Sequence, residues 1–277
     1  MTPTQDHPTV RPLAVVTGAS SGIGEVFARK LAARGYDLLL VARRKDRLDA
    51  LSAELSSAFG TRAEALPADL ARAEDLGAVE ERLRSDARLE FLVNNAGFGS
   101  RQFFHEADLS VQELMHRLHV VATLRLCHAA LPGMVARNRG YIVNVSSVAG
   151  FMQGPYNVSY CATKAWMNSF TEGLVLEMRT IGADVRVQAL CPGFTRTEFH
   201  QAMGLSRDFA PASWWMDADE VVEAAFAGLS RRRWLVVPGW RYKLSVAALR
   251  YMPRPILHHF IARAPNVRRA QRAVPSA

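Results

Sequence analysis

From Arg231 to its last residue the chain has no Asp or Glu, and elsewhere it is short of cysteine, of long apolar runs and of repeats. Each absence excludes something. Cys127, Cys161 and Cys191 are too few, odd in number and without metal-ligand spacing, which speaks against a disulfide framework or a zinc site and predicts reduced, buried thiols. No stretch approaches the roughly 18 consecutive apolar residues of a membrane span, and the start, MTPTQDHPTVRPLA, has no apolar run behind a basic flank. A soluble, cytoplasmic protein is expected. The formal charge of +8 suggests a polyanion partner until its distribution is read. Of the 34 Lys and Arg residues, 11 lie from Arg231 onward, so the 26 acidic residues face 23 basic ones in residues 1–230. The body therefore offers no electrostatic case for nucleic acid, and no nucleic-acid motif accompanies it.

What is present is a large apolar share, 49% of 277 residues, enough for one generous core. Short β-branched or leucine-rich runs (LAVVT, DLLLVA, AEALPA, LEFLVNN, GYIVNVSS, VRVQALCPG, WLVVPG) alternate with segments of helical period. These helices are expected at Ile23–Arg34, Asp46–Phe59, Ala73–Ser85, Leu109–Met134, Tyr160–Thr180 and Ala218–Ser230. Continuous apolar strands alternating with helices predict an α/β fold, a doubly wound seven-stranded parallel sheet covered on both faces. Gly35 and Gly60 fall where helices should stop, and Asp217 with Glu220 reads as an N-cap box. The expected organisation is a flexible N-terminus over 1–12, one Rossmann-type domain over 13–239 and a helical extension over 240–277.

Two stretches carry chemistry. In VVTGASSGIGEVFA, Gly18, Gly22 and Gly24 lie between a strand and a helix, where glycine lets the backbone turn tightly beside a pyrophosphate held at the helix N-terminus. In SYCATK, Tyr160 and Lys164 are one helical turn apart, so the ammonium is expected to favour the phenolate and lower a pKa that is otherwise about 10.

With NNAG at 94–97, Ser147 thirteen residues before Tyr160, and PGFTRT at 192–197, the chain from about Leu13 to Gly239 resembles the short-chain dehydrogenase/reductase family. The resemblance implies a nicotinamide cofactor and a catalytic centre of Ser147, Tyr160 and Lys164. It places Gly18, Ser20, Ser21, Gly22, Ile23, Gly24, Asp69, Leu70, Asn95, Ala96, Gly97, Pro192, Gly193 and Thr195 against the cofactor, together with Tyr160 and Lys164; Thr197 is a weaker candidate. One position departs from the pattern. The fourth helix carries His119 where the family often has an asparagine that supports a water in a proton relay, and a histidine there either holds that water, titrates near pH ~6.5, or merely packs.

The cofactor's 2′ position is read at LLLVARRKDRL, where Ala42 stands in place of the acidic residue of NAD users and Arg43 follows, which favours NADP(H). After the sixth strand, Phe199, Met203, Phe209, Trp214, Trp215 and Met216 make an apolar lid and suggest an apolar, aromatic or lipid-like substrate. In the extension, Leu244, Ala248 and Tyr251 and then Ile256, Leu257, Phe260 and Ile261 follow helical spacing beside basic residues. These faces are expected either to pack on the lid or a second subunit, or to lie on an anionic membrane. The reading is thus an NADP(H)-dependent carbonyl reductase or alcohol dehydrogenase, a homodimer or homotetramer by resemblance, with no metal. Its competitor is a nucleotide-binding regulatory or membrane-surface protein with little turnover.

Overall fold

The apolar runs become strands. The structure, a computed structural model, describes residues 10–199 and 210–263, with no side chains described beyond His259. Within them lie β1 (Leu13–Thr17), β2 (Asp37–Ala42), β3 (Ala63–Pro67), β4 (Leu89–Asn94), β5 (Gly140–Val145), β6 (Val185–Leu190) and β7 (Leu235–Val236). All pair in parallel in the order β3-β2-β1-β4-β5-β6-β7. This is the expected seven-stranded doubly wound sheet. Its order reverses between β1 and β4, the point at which such sheets open a crevice at their strand ends.

Because successive strand residues face opposite ways, each strand feeds two cores. Val15, Leu39, Leu92 and Ile142 point to one face, and Val16, Leu40, Val93 and Val143 to the other. Helices α3 (Ala73–Ser85), α5 (Thr123–Ala136) and α6 (Val158–Thr180) cover the first through Leu76, Val79, Leu126 and Leu174. Helices α1 (Gly22–Ala32), α2 (Lys45–Phe59) and α7 (Ala218–Ser230) cover the second through Phe27, Leu31, Leu48 and Val222. Short α4 (Leu109–His116) runs through a π-helical stretch, Arg117–Ala122, into α5, making one continuous rod. That rod, Leu109–Ala136, is the one helix among the described residues long and apolar enough to cross a membrane, but here Met115, Leu126, Ala130 and Met134 are buried against the domain.

Some local expectations change. Gly60 closes α2 in the left-handed region, φ 59°, as read. Asp217 does precede α7, but its side chain makes no capping bond; it accepts instead from Arg196 Nη1 at 3.0 Å. The charge-assisted bond is the better use of the carboxylate. All three cysteines are free and buried.

At the rim where the strands begin, ion pairs tie the turns together: Arg88 reaches Asp37 at 2.9 Å and Asp86 at 2.7 Å, Arg139 reaches Glu90 at 3.0 Å, and Arg232 reaches Asp184 at 3.0 Å. The opposite rim, where the strands end, carries the glycine turn, the NNAG segment, Ser147 and the PGFT segment.

The extension forms α8 (Trp240–Tyr251) and α9 (Arg254–Arg263). Its inner face is not the one expected. Tyr242 and Val246 are buried, whereas Leu244, Ala248 and Tyr251 face outward, Tyr251 at 83% exposure. Leu257 of α9 is buried and Ile256 is exposed. The amphipathic pattern alone missed this because a tyrosine that finds hydrogen-bond partners buries as readily as a leucine. The side chains of Phe260 and Ile261, the lid residues Met203 and Phe209, and residues 1–9 of the N-terminal segment lie outside the described residues.

Candidate active site

The glycine turn is held by its neighbours as much as by its glycines. Gly18 and Gly22 have φ of 65° and 60°, and a Cβ on Gly24 would lie 2.3 Å from the Gly18 carbonyl oxygen and 2.5 Å from Asn95 Nδ2. Thr17 Oγ1 accepts the backbone N–H of Asn95 at 2.9 Å and of Ala96 at 3.1 Å, and donates to the Val93 carbonyl. The Asn95 amide donates back to the carbonyls of Thr17 and Gly18. The ends of β1 and β4 are thereby locked side by side, with α1 starting at Gly22 and Ile23 packed into the core beneath. A bare backbone cradle at a helix N-terminus suits a pyrophosphate.

At the end of β2 the two arginines divide. Arg43 is exposed and makes no hydrogen bond or ion pair among the described residues. Arg44, which the sequence reading passed over, turns back onto the glycine turn. It donates to Ser20 Oγ at 3.0 Å and Ser21 Oγ at 2.7 Å, and pairs with Glu198 at 2.8 Å. Arg47 reaches the same carboxylate at 2.6 Å, and the two guanidinium hydrogen bonds, Arg44's the larger, hold Glu198 down to about 2. Asp69 is partly buried; its carboxylate accepts the Ala71 N–H at 3.1 Å, and Leu70 points into the core.

Ser147, Tyr160 and Lys164 come together where β5 ends and α6 begins. Ser147 caps a single 3₁₀ turn, Val148–Phe151, by accepting the Ala149 N–H at 3.1 Å. Burial pushes the Tyr160 phenol up to about 12, against the smaller opposing pull of the nearby Ser147 hydroxyl. Lys164 does share the helix face, its Nζ 5.8 Å from the Tyr160 ring centroid, but it donates to the Val145 carbonyl at 2.8 Å. Burial also lowers Lys164 to about 8. The expected lowering of the tyrosine by the lysine is therefore corrected for the protein alone: desolvation dominates both groups and weakens the ammonium that was to do the lowering.

His119 lies in the π-helical stretch, fully buried, with both ring nitrogens in use. Nε2 accepts the Phe98 N–H at 3.1 Å, so Nδ1 carries the proton and donates to Thr163 Oγ1 at 3.0 Å; Thr163 in turn donates to the Tyr160 carbonyl at 2.9 Å. Burial, with Lys164 nearby, holds the imidazole well below its usual range. In this arrangement His119 joins the segment after Gly97 to Thr163 of α6, the packing role among the three alternatives. Gly97 accommodates it, since a Cβ there would lie 2.7 Å from His119 Nε2.

The segment after β6 closes the other side. Pro192 O accepts the Val148 N–H at 3.1 Å, Thr195 is buried with its hydroxyl on the Gly193 carbonyl, and the Thr197 methyl packs on Gly22. Phe194–Arg196 pairs with the returning stretch Trp214–Met216: Met216 N–H donates to Phe194 O, and Arg196 N–H to Met216 O, both at 2.9 Å. Trp215 is buried, and Phe199 stands 5.9 Å from the Tyr160 ring. Tyr242 touches this pairing from the extension; no motif in the sequence pointed to it.

A parallel sheet with its glycine turn at the switch point and a tyrosine-lysine pair beside it defines a nucleotide-binding oxidoreductase. Residues 12–207 match the short chain dehydrogenase family, and the chain belongs to it. It is similar to a short-chain dehydrogenase from Sphingobium yanoikuyae solved in complex with NADPH, with 39% identity and a TM-score of 0.79 over 96% of this chain and 97% of that one. It is also similar to the bulky-bulky ketone specific alcohol dehydrogenase from Comamonas testosteroni, with 31% identity and a TM-score of 0.75 over 95% and 99% of the two chains. Among curated relatives, the very-long-chain 3-oxoacyl-CoA reductase of Anas platyrhynchos is 31% identical over 193 residues; that match takes in 67% of this chain but only 60% of the relative.

Proposed function

We propose that this enzyme interconverts a carbonyl and a secondary alcohol on an apolar substrate with NADP(H), using Ser147, Tyr160 and Lys164. The observation that carries this reading is the convergence of Ser147, Tyr160 and a buried Lys164, its Nζ 5.8 Å from the Tyr160 ring centroid, at the same end of the sheet as the glycine turn. The Gly18–Gly24 cradle fits a dinucleotide pyrophosphate, and the exposed Arg43, with Arg44 on Ser20 and Ser21, suits a 2′-phosphate. When bound, the cofactor supplies or takes a hydride at the carbonyl carbon.

The chain's own residues do the rest. Ser147 holds the substrate oxygen, and Tyr160 donates its proton to that oxygen in reduction or removes it in oxidation. Lys164, one helical turn from Tyr160, would reach the cofactor ribose. Its bond to Val145 O fixes the side chain, and its lowered pKa lets it pass a proton near neutrality.

Phe199 beside Tyr160, with Phe98 next to His119, gives the reacting end apolar walls, which supports a bulky apolar ketone or a lipid-like acyl substrate. The bulky-ketone enzyme of Comamonas and the acyl-CoA reductase among the relatives point the same way. Exposed apolar side chains on the outer faces of the α4–α5 rod and α6 (Leu114, Val121, Leu124 and Leu176) support a homo-oligomer. The test is NADPH consumption over bulky aromatic ketones, steroids and 3-oxoacyl thioesters, with Tyr160→Phe beside the wild type. Turnover that falls by about 100-fold or more in the variant, with NADPH binding kept, is the expected result. Rapid turnover by the variant sinks the assignment.

A further inference from the structure

We propose that Tyr242, from the C-terminal extension, is a positioning residue for the nicotinamide half of the cofactor site. The proposal rests on the cofactor reading above and adds to it a residue outside the dehydrogenase motifs, in the first turn of α8.

Its hydroxyl makes two bonds to backbone at once. It accepts the Phe194 N–H at 2.9 Å and donates to the Trp214 carbonyl at 2.7 Å. Those two residues are the facing stems of the segment that leaves β6 and returns at Met216, so one phenol fixes both ends of that pairing. The ring lies flat against Gly193. A Cβ there would come 2.0 Å from Tyr242 Cζ, a contact no side chain survives, so glycine at 193 is what lets the phenol close on the stems. Trp214 packs edge-on to the same ring, at 5.2 Å between centroids.

Tyr242 is buried, and with Val246, Ala189, Cys191 and Val237 it forms a third, separate apolar cluster under this loop. Left without its phenol oxygen, the Phe194 N–H and the Trp214 carbonyl lose a buried partner, which is costly whether or not the loop shifts to find another. The loop in question holds Pro192, Gly193 and Thr195, the residues assigned to the nicotinamide. The pyrophosphate, adenosine and 2′-phosphate are assigned to elements that Tyr242 does not touch. Loss of the hydroxyl should therefore be felt at one end of the dinucleotide only.

Tyr242→Phe keeps the ring over Gly193 and removes the two bonds. Titrations of purified full-length protein with NADP⁺ and with adenosine 2′,5′-bisphosphate, which lacks the nicotinamide half, separate the possibilities. The expected result is binding of NADP⁺ weakened by about tenfold, with the bisphosphate unchanged within about twofold. Val246→Ala, on the same inner face but without polar contact to the loop, should lower the thermal midpoint and leave the ratio of the two affinities as in wild type. Equal weakening of both ligands in Tyr242→Phe, a ratio that shifts as much in Val246→Ala, or wild-type affinities throughout would each overturn the proposal. A wild-type protein that binds neither ligand would overturn the cofactor reading itself, and this inference with it.

Discussion

His119 and Thr163 are joined by a 3.0 Å bond in which the ring nitrogen donates and the hydroxyl accepts, and the Phe98 N–H on the other nitrogen leaves no second arrangement of that proton. His119→Leu takes the acceptor from the part-buried Phe98 N–H and one of two partners from Thr163 Oγ1, and is expected to cost about 1–3 kcal/mol of stability in urea unfolding. Burial holds the imidazole well below its usual range, so the expected role of His119 is structural and not ionising. The pH-rate profile of His119→Asn should keep the wild-type shape at a lower level. An acid limb near pH ~6.5 that vanishes in the variant would restore the titrating role.

Lys164 and Tyr160 give stability opposite slopes with pH. Lys164 titrates at about 8 when folded, below its ordinary 10.5. Between those values the unfolded chain binds the extra proton, so this group makes stability rise with pH. Tyr160, raised from 10 to about 12, makes it fall across that higher window. Lys164→Met should therefore be more stable than wild type near pH 7, with an advantage that shrinks by up to about 3 kcal/mol towards pH 10.5. Unfolding midpoints across pH 7–10.5 check this, and a constant difference would show that Lys164 is not strained by burial.

At the phosphate end, NADPH should bind more tightly than NADH by roughly 1.5–3 kcal/mol, most of it lost in Arg43→Ala. Glu198 competes for the neighbouring guanidinium groups through its pairs with Arg44 and Arg47. Glu198→Gln is accordingly expected to tighten NADPH binding and leave NADH unchanged. Dissociation constants by fluorescence titration decide it; weaker NADPH binding in that variant would mean that the carboxylate holds the site open instead of contesting it.

Glu80 is a buried carboxylate on α3, bridged by Arg125 of α5 and, at 3.4 Å, by Arg84. Arg125→Met should cost about 3 kcal/mol by leaving that charge poorly paired, and adding Glu80→Leu should recover much of it. Urea unfolding of the single and double variants tests the pair; additive losses would show that the two residues act independently.

The sheet, its order of elements and most helix limits were legible because buried parallel strands write themselves as apolar runs, and the glycine turn because only glycine tolerates its backbone. Ser147, Tyr160 and Lys164 were legible as a spaced set. Arg44 was not, because a pair of adjacent arginines gives no sign of which one turns inward; the answer depends on Ser20, Ser21 and Glu198, up to 154 residues away. The state of Lys164 was misread because spacing shows which groups meet but not how dry their surroundings are. Tyr242 was invisible for a third reason: its partners are backbone groups, which every sequence contains.

The two rims of the sheet differ in what can be attached to them. Every strand begins at the rim braced by Asp37, Arg88, Glu90 and Arg139 and ends at the rim that carries the glycine turn and Ser147. The C-terminal extension doubles back onto the second. A tether, affinity handle or surface for immobilisation introduced near exposed Arg62 or Arg139 would leave the strand-end rim open, whereas one carried beyond α8 would hang from the helix whose Tyr242 bonds the Phe194 and Trp214 backbone.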